Sequence, residues 1–131
     1  MQIQVGIISV SDRATQGVYE DAGGPALREA AAGYGWEVLA EDVVPDEISD
    51  IQRALRKQVN KGCQMILTTG GTGVAPRDVT PEAVREMAVR ELPGFGEVMR
   101  IESMKITPNA ILSRNLAAVI DTALVICLPG K

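Results

Sequence analysis

Histidine is absent from all 131 residues, and this excludes Ser-His and Cys-His nucleophile pairs together with His-ligated metal chemistry. Any catalysis must therefore rest on carboxylates, Lys or Arg, backbone amides and a bound metal. Cysteine is almost absent as well. Cys63 and Cys127 stand far apart with no CxxC or Cys/His spacing, which argues against a zinc site or a dithiol redox motif and leaves two buried reduced thiols. Aromatic residues make up only 3% of the chain, so the core has to be built from Ile, Val, Leu and Ala, a composition that suits strands covered by helices. Charge of one sign does not dominate either. The formal net charge is -4 with both signs interspersed, so the basic footprint that nucleic acid requires is missing and no nucleic-acid partner is expected. The N-terminal run MQIQVGIISVSD is too short and too interrupted for a signal peptide or membrane span. No membrane association is expected, and the default location is cytoplasmic.

The length fits one domain spanning residues 1–131 with a single core. Ile3 to Val10 is apolar and β-branched and runs into Ser11-Asp12-Arg13, the pattern of a buried strand entering a polar loop. Leu27, Ala30, Ala31 and Tyr34 then recur at helical spacing until Gly35. Trp36 to Val44 reads as a second strand ending in the acidic loop Pro45-Asp46-Glu47. Ile48, Ile51, Leu55 and Val59 mark one face of a second helix closed by Gly62, and Met65-Ile66-Leu67 follows as a third strand. That alternation predicts an α/β fold with right-handed βαβ units, a mostly parallel sheet, and loops of interest at the strands' carboxyl ends.

A third helix is expected from Pro81 to about Arg90 with Thr80 as its N-cap. A turn at Pro93-Gly94-Phe95-Gly96 precedes mixed helical periodicity over Val98, Met99, Ile101, Glu102 and Met104. The two apolar runs of residues 116–128, broken by Asp121-Thr122, read as a hairpin or two short strands.

Three patterns could carry chemistry. Thr68-Thr69-Gly70-Gly71-Thr72-Gly73 directly follows an apolar strand, and such a loop can aim amide N–H groups and hydroxyls at phosphate oxygens. It is neither a Walker A nor a dinucleotide GxGxxG loop, and the residues alone fit a tight strand-to-loop connection equally well. Asp46 follows the second expected strand and Asp78 the third, so a parallel sheet brings both to one edge. There they could bind Mg²⁺ together with substrate phosphates, or merely cap a helix and a turn. Ser9, Ser11, Asp12 and Arg13 end the first strand on the same side, where a plain solvated loop is the alternative. Ser113-Arg114 and Pro129-Gly130 gain weight only in company with the rest.

In company, the ordered motifs resemble the MogA/MoaB family along nearly the whole chain. They are Ser9-Val10-Ser11-Asp12-Arg13, Gly17-Val18-Tyr19, Pro45-Asp46-Glu47, the glycine loop, Arg77-Asp78-Val79-Thr80-Pro81, Pro93-Gly94-Phe95-Gly96-Glu97 and Leu128-Pro129-Gly130. Met99-Arg100 and the stretch from Thr107-Pro108-Asn109 to Ser113-Arg114 look closer to the MogA branch, to which gephyrin's G domain is related, than to MoaB.

The resemblance implies a three-layer α/β subunit in a homotrimer that transfers AMP from ATP-Mg to the phosphate of molybdopterin, with possible hand-over to a molybdenum insertase. By motif, Asp46 and Asp78 match the essential aspartates, with Asp78 near the Mg²⁺ and triphosphate. Ser11, Asp12, Thr69, Gly70, Gly71, Thr72, Gly73, Thr80, Ser113, Arg114, Pro129 and Gly130 fall in substrate-binding motifs. A non-catalytic molybdopterin-binding or MoaB-like module is the alternative. The family pattern continues beyond Leu-Pro-Gly, whereas this sequence ends at Lys131. If the usual C-terminal segment is lacking, one sheet face is expected to be short of cover.

Overall fold

The computed structural model describes residues 2–17 and 23–129. The chain runs β1 (Gln4–Val10), α1 (Asp12–Thr15), α2 (Gly23–Gly33), β2 (Glu37–Val44), α3 (Ile48–Lys61), β3 (Met65–Thr69), α4 (Thr80–Met87), β4 (Arg90–Glu91), α5 (Pro93–Met104), a 3-10 helix (Pro108–Leu112), β5 (Ala117–Ile120) and β6 (Ala123–Leu128). The strands form one six-stranded sheet in the order β2-β1-β3-β6-β5-β4. β1 is parallel to both β2 and β3, and β3 to β6. β5 returns antiparallel to β6, and the two-residue β4 pairs antiparallel with β5. The carboxyl ends of β1, β2, β3 and β6 therefore share one edge, the arrangement that the alternation of strands and helices predicts.

The sheet lies between α2 on one face and α3 with α4 on the other, which bears out the three-layer expectation. On α3 the buried positions Ile51, Ala54, Leu55 and Gln58 follow the i, i+3, i+4, i+7 stripe of an amphipathic helix. Ile51, Ala54 and Leu55 share a core with Ile8, Val10, Ile66, Val125 and Cys127 of the sheet and with Ala83 and Val84 of α4. Truncating the fully buried Leu55 to Ala should cost roughly 2–5 kcal/mol. Gly62 ends α3 in the left-handed conformation, φ 103°, its N–H capping the carbonyls of Gln58 and Val59. The other core is smaller: Val5, Ile7 and Leu67 are buried, with Leu27, Trp36, Ile126 and Leu128 packed around them while keeping partial exposure.

Several local expectations change. Thr80 is the first residue of α4 rather than its cap. Val79 holds the cap position without a side-chain bond, and the Thr80 hydroxyl donates instead to Gly70 O at 3.0 Å. α4 stops at Met87 rather than near Arg90, because Ala88 turns extended and Arg90–Glu91 pairs with β5. Tyr34 lies beyond the end of α2, exposed and stacked on Trp36 at 4.9 Å. The hairpin reading of residues 116–128 holds, with Asp121 at positive φ, 53°, in the turn. α1 and the 3-10 helix are elements that the pattern does not announce. No helix among the described residues is long and apolar enough to cross a membrane.

Candidate functional site

Three loops meet at the shared carboxyl edge. After β1, Ser11 caps α1 by accepting from the Ala14 N–H at 3.2 Å. The next residue ties this loop to the one after β2. Asp12 N–H donates to Asp46 Oδ2 at 3.0 Å, and Asp46 N–H donates to Asp12 Oδ1 at 2.9 Å. From the loop after β3, Arg77 grips both oxygens of Asp12 through Nε at 3.0 Å and Nη2 at 2.9 Å, while Nη1 reaches Glu47 at 2.8 Å. The result is a clasp of paired charges.

Its electrostatics are asymmetric. The guanidinium of Arg77, followed by the Asp46 N–H, holds the Asp12 carboxyl below the usual carboxylate range. Asp46 shifts the other way: burial raises it, and the charges of Asp12 and Asp78 add to the rise against the lowering bond from the Asp12 N–H. Arg77 itself is raised by its hydrogen bonds to Asp12 and Glu47.

The glycine loop runs between Asp46 and Asp78. Gly70 has φ 98° and Gly71 φ 71°, conformations that L side chains rarely adopt. A Cβ at Gly70 would fall 2.2 Å from Val10 O, and one at Gly71 would fall 2.2 Å from Thr80 Oγ1 and 3.2 Å from Asp46 Oδ1. One at Gly73 would sit 2.8 Å from Asp78 Oδ2. The loop can thus approach both carboxylates only as bare backbone. Thr69 Oγ1 donates to Pro129 O at 3.0 Å and Thr80 N–H to Gly71 O at 3.1 Å, so these two threonines shape the loop. Asp78 closes its own turn, accepting from Ala75 N–H at 2.9 Å.

Gly70, Gly71, Thr72, Gly73 and Asp78 form one wall of a cavity of about 670 Å³; α5 and the 3-10 segment form the other. Ser113 and Pro129 also line it, and Ser113 Oγ donates to Asn115 Oδ1. Arg114 stands behind the loop rather than in the cavity. It donates through Nε to Gly73 O at 2.7 Å, through Nη2 to Asp78 O at 2.6 Å and through Nη1 to Glu82. That last bond holds Glu82 below the usual carboxylate range.

Of the residues singled out by sequence, Gly70, Gly71, Thr72, Gly73, Asp78, Ser113 and Pro129 share the cavity, Thr69 and Thr80 brace the loop from outside it, Asp46 adjoins Gly71, Asp12 belongs to the clasp and Ser11 caps α1 beside it. Gly130, with Val18 and Tyr19, lies outside the described residues. Sequence reasoning misses Arg100 and Asn115 as site residues. The only sequence signal is the Met99-Arg100 pair, because the packing of α5 on the loop before β5 brings them to the site.

Cys63 and Cys127 are buried. Burial raises both thiols, Cys127 to about 11, so neither is a thiolate at neutral pH. No group of three His, Cys, Asp or Glu side chains among the described residues could hold a metal ion unaided. A divalent cation here would need oxygens from its substrate, which fits Mg²⁺ chelated by phosphates and one or two carboxylates.

A mostly parallel α/β sheet whose carboxyl edge carries a bare glycine loop beside two aspartates is of the open-sheet class, in which that edge is where ligands bind. The chain belongs to the family described as "Probable molybdopterin binding domain", which matches residues 6–131. It is similar to the molybdopterin adenylyltransferase of Helicobacter pylori strain J99, 46% identical over 132 residues, 98% of this chain and 75% of the relative. It is also similar to the Escherichia coli K12 molybdopterin adenylyltransferase, 46% identical over 133 residues, 98% of this chain and 68% of that one. Among solved structures, the molybdopterin biosynthesis enzyme MoaB of Thermus thermophilus superposes with a TM-score of 0.92 at 46% identity, covering 99% of this chain and 82% of that one. The tungsten cofactor synthesizing protein MoaB of Pyrococcus furiosus gives 0.93 at 32% identity, with 99% and 83% covered.

Proposed function

We propose that this chain is a molybdopterin adenylyltransferase of molybdenum cofactor biosynthesis. The observation that carries the reading is the position of Asp78. Its carboxylate lies against Gly73 on the cavity wall and makes no ion pair among the described residues. A carboxylate beside a loop suited to phosphate is a repulsive arrangement unless a cation joins them, and ATP-Mg brings both phosphate and cation.

The phosphate of molybdopterin is already ionised at neutral pH, so one of its oxygens can attack the α-phosphorus of ATP without a general base. The bond from the α-phosphorus to the α–β bridging oxygen breaks, the electron pair leaves with pyrophosphate, and adenylated molybdopterin remains. This account suits a chain without histidine. The chain's own task is positioning: loop amides hold phosphate oxygens, the clasp fixes Asp46 beside Gly71, and Arg114 fixes the main chain of Gly73 and Asp78. Asp78, with Asp46 next to it, would hold a magnesium ion that supplies charge neutralisation when the triphosphate is bound.

A cytoplasmic homotrimer that hands its product to a molybdenum insertase completes the reading. The half-exposed or exposed Phe95, Val98, Ile101 and Met104 of α5 support a subunit contact, since apolar patches of this kind favour association. The likeness to MoaB structures favours one second reading, a MoaB-like module that binds the pterin without turnover. Pyrophosphate release from ATP-Mg, measured with and without molybdopterin, separates them. Release that requires the pterin is the expected result; a folded chain that binds pterin and releases none would replace the enzyme with the module.

A further inference from the structure

Among the described residues that line the 670 Å³ cavity, Arg100 is the one positive side chain and Asp78 the one negative, and no ion pair joins them. Arg100 sits on α5 with its guanidinium over Gly96, where an added Cβ would lie 3.1 Å from Nη1, 3.2 Å from Nη2 and 2.3 Å from Asn115 O. Nη1 donates to Asn115 O at 2.8 Å and more weakly to Ser113 O at 3.4 Å.

Those two carbonyls fix the plane of the guanidinium and use one of its nitrogens. Nε and Nη2 have no acceptor among the described residues. Glu97 and Glu91 share a smaller hollow of about 280 Å³ with Arg100. Glu91 is engaged by Arg85 at 3.1 Å, and Glu97 makes no ion pair with Arg100. A half-buried guanidinium, oriented by carbonyls and left with two free donors on a cavity wall, is costly unless an anion completes it. The planar fork of arginine matches the oxygens of a phosphate in bidentate fashion. Ser103, Thr107 and Asn109, on the same wall, supply neutral donors and acceptors for the rest of a polar ligand.

We infer that Arg100 is a phosphate-binding residue of this cavity, the anchor that sets a substrate phosphate across from the glycine loop and Asp78. The phosphate can belong to the pterin or to the nucleotide. The inference rests on the adenylyltransferase reading only in naming those two owners.

The test measures equilibrium binding of molybdopterin, of its dephosphorylated form and of ATP-Mg to the wild-type chain, Arg100→Gln and Arg100→Lys, with circular dichroism confirming the fold of each. Arg100→Gln should weaken one phosphorylated ligand by about tenfold or more, and Arg100→Lys should recover part of that loss. The ligand affected identifies the owner; if it is molybdopterin, the dephosphorylated form should bind all variants alike. Unchanged affinities for both phosphorylated ligands, or an equal loss for the dephosphorylated pterin, would overturn the inference while leaving the adenylyltransferase reading intact. A wild-type chain that binds neither ligand would overturn both. If Arg100→Gln fails to fold, the lysine variant alone decides: it should bind the dephosphorylated pterin and one of the two phosphorylated ligands as the wild type does and the other several-fold more weakly, and wild-type affinity for all three would overturn the inference.

Discussion

The two halves of the loop edge handle charge in opposite ways. In the clasp, Asp12, Glu47 and Arg77 satisfy one another, and Asp46 spends one oxygen and its N–H on Asp12. In the cavity, Asp78 and Arg100 line the same space without an ion pair to each other or to a neighbour among the described residues. Paired charge holds loops together; unpaired charge at a concave wall is what a ligand completes. Asp46 belongs to both halves, with Oδ2 in the clasp and Oδ1 toward Gly71. The comparison assigns structure to one side and chemistry to the other.

Substitutions in the cavity wall should therefore act on transfer and those in the clasp mainly on the loops. The largest effect is expected from Asp78→Asn, which should lower adenylyl transfer by about two to three orders of magnitude while leaving the fold and pterin binding nearly intact. Steady-state kinetics beside a thermal melt checks it, and equal losses of stability and activity would move Asp78 to the structural side. Gly70→Ala comes next. With φ at 98° and Val10 O in the way, it should destabilise the chain by roughly 2–4 kcal/mol in denaturant titration.

Arg114→Lys keeps the charge but loses the fork that holds Gly73 O, Asp78 O and Glu82. It should reduce kcat by about tenfold with a smaller change in KM, seen in a substrate titration. Smaller still is Arg77→Gln. Its ion pairs are more than half exposed on the Arg77 side, so transfer should fall less than about threefold, and the difference should shrink in high salt.

Linkage supplies the last and smallest prediction. The folded-state pKa of Asp12 is lowered, so its ionisation contributes stability that is present above the unfolded pKa and is lost as pH falls through the folded one. Asp46 is raised, so its ionisation opposes folding once pH exceeds the unfolded value. Asp46→Asn should then melt slightly higher than wild type at neutral pH, and the gain should vanish in acid where Asp46 is protonated. A lower melting temperature at neutral pH would show that the clasp needs the charge of Asp46.

The contrast also explains what could be read from the sequence. β1, α3 and β3 announce themselves through apolar runs and a clean helical stripe, and strand order alone brings Asp46 and Asp78 to one edge. α1 and β4 are too short for any period to show. The Thr80-Pro81 pair suggests an N-cap because that is the local rule, but a long-range bond to Gly70 O claims the hydroxyl. Arg100 and Arg114 stand in recognisable motifs, yet that Arg100 lines the cavity while Arg114 binds the main chain of Gly73 and Asp78 depends on how α5 and the segment before β5 pack. Sequence spacing carries no information about that.

Transfer of label from ATP carrying radioactive α-phosphate to molybdopterin, compared between Asp78→Asn and Asp12→Asn, tests the division most directly. The account predicts labelled pterin from the wild type, label largely kept in Asp12→Asn and nearly lost in Asp78→Asn. Label kept in Asp78→Asn, or none from a folded wild type that binds both substrates, would contradict it.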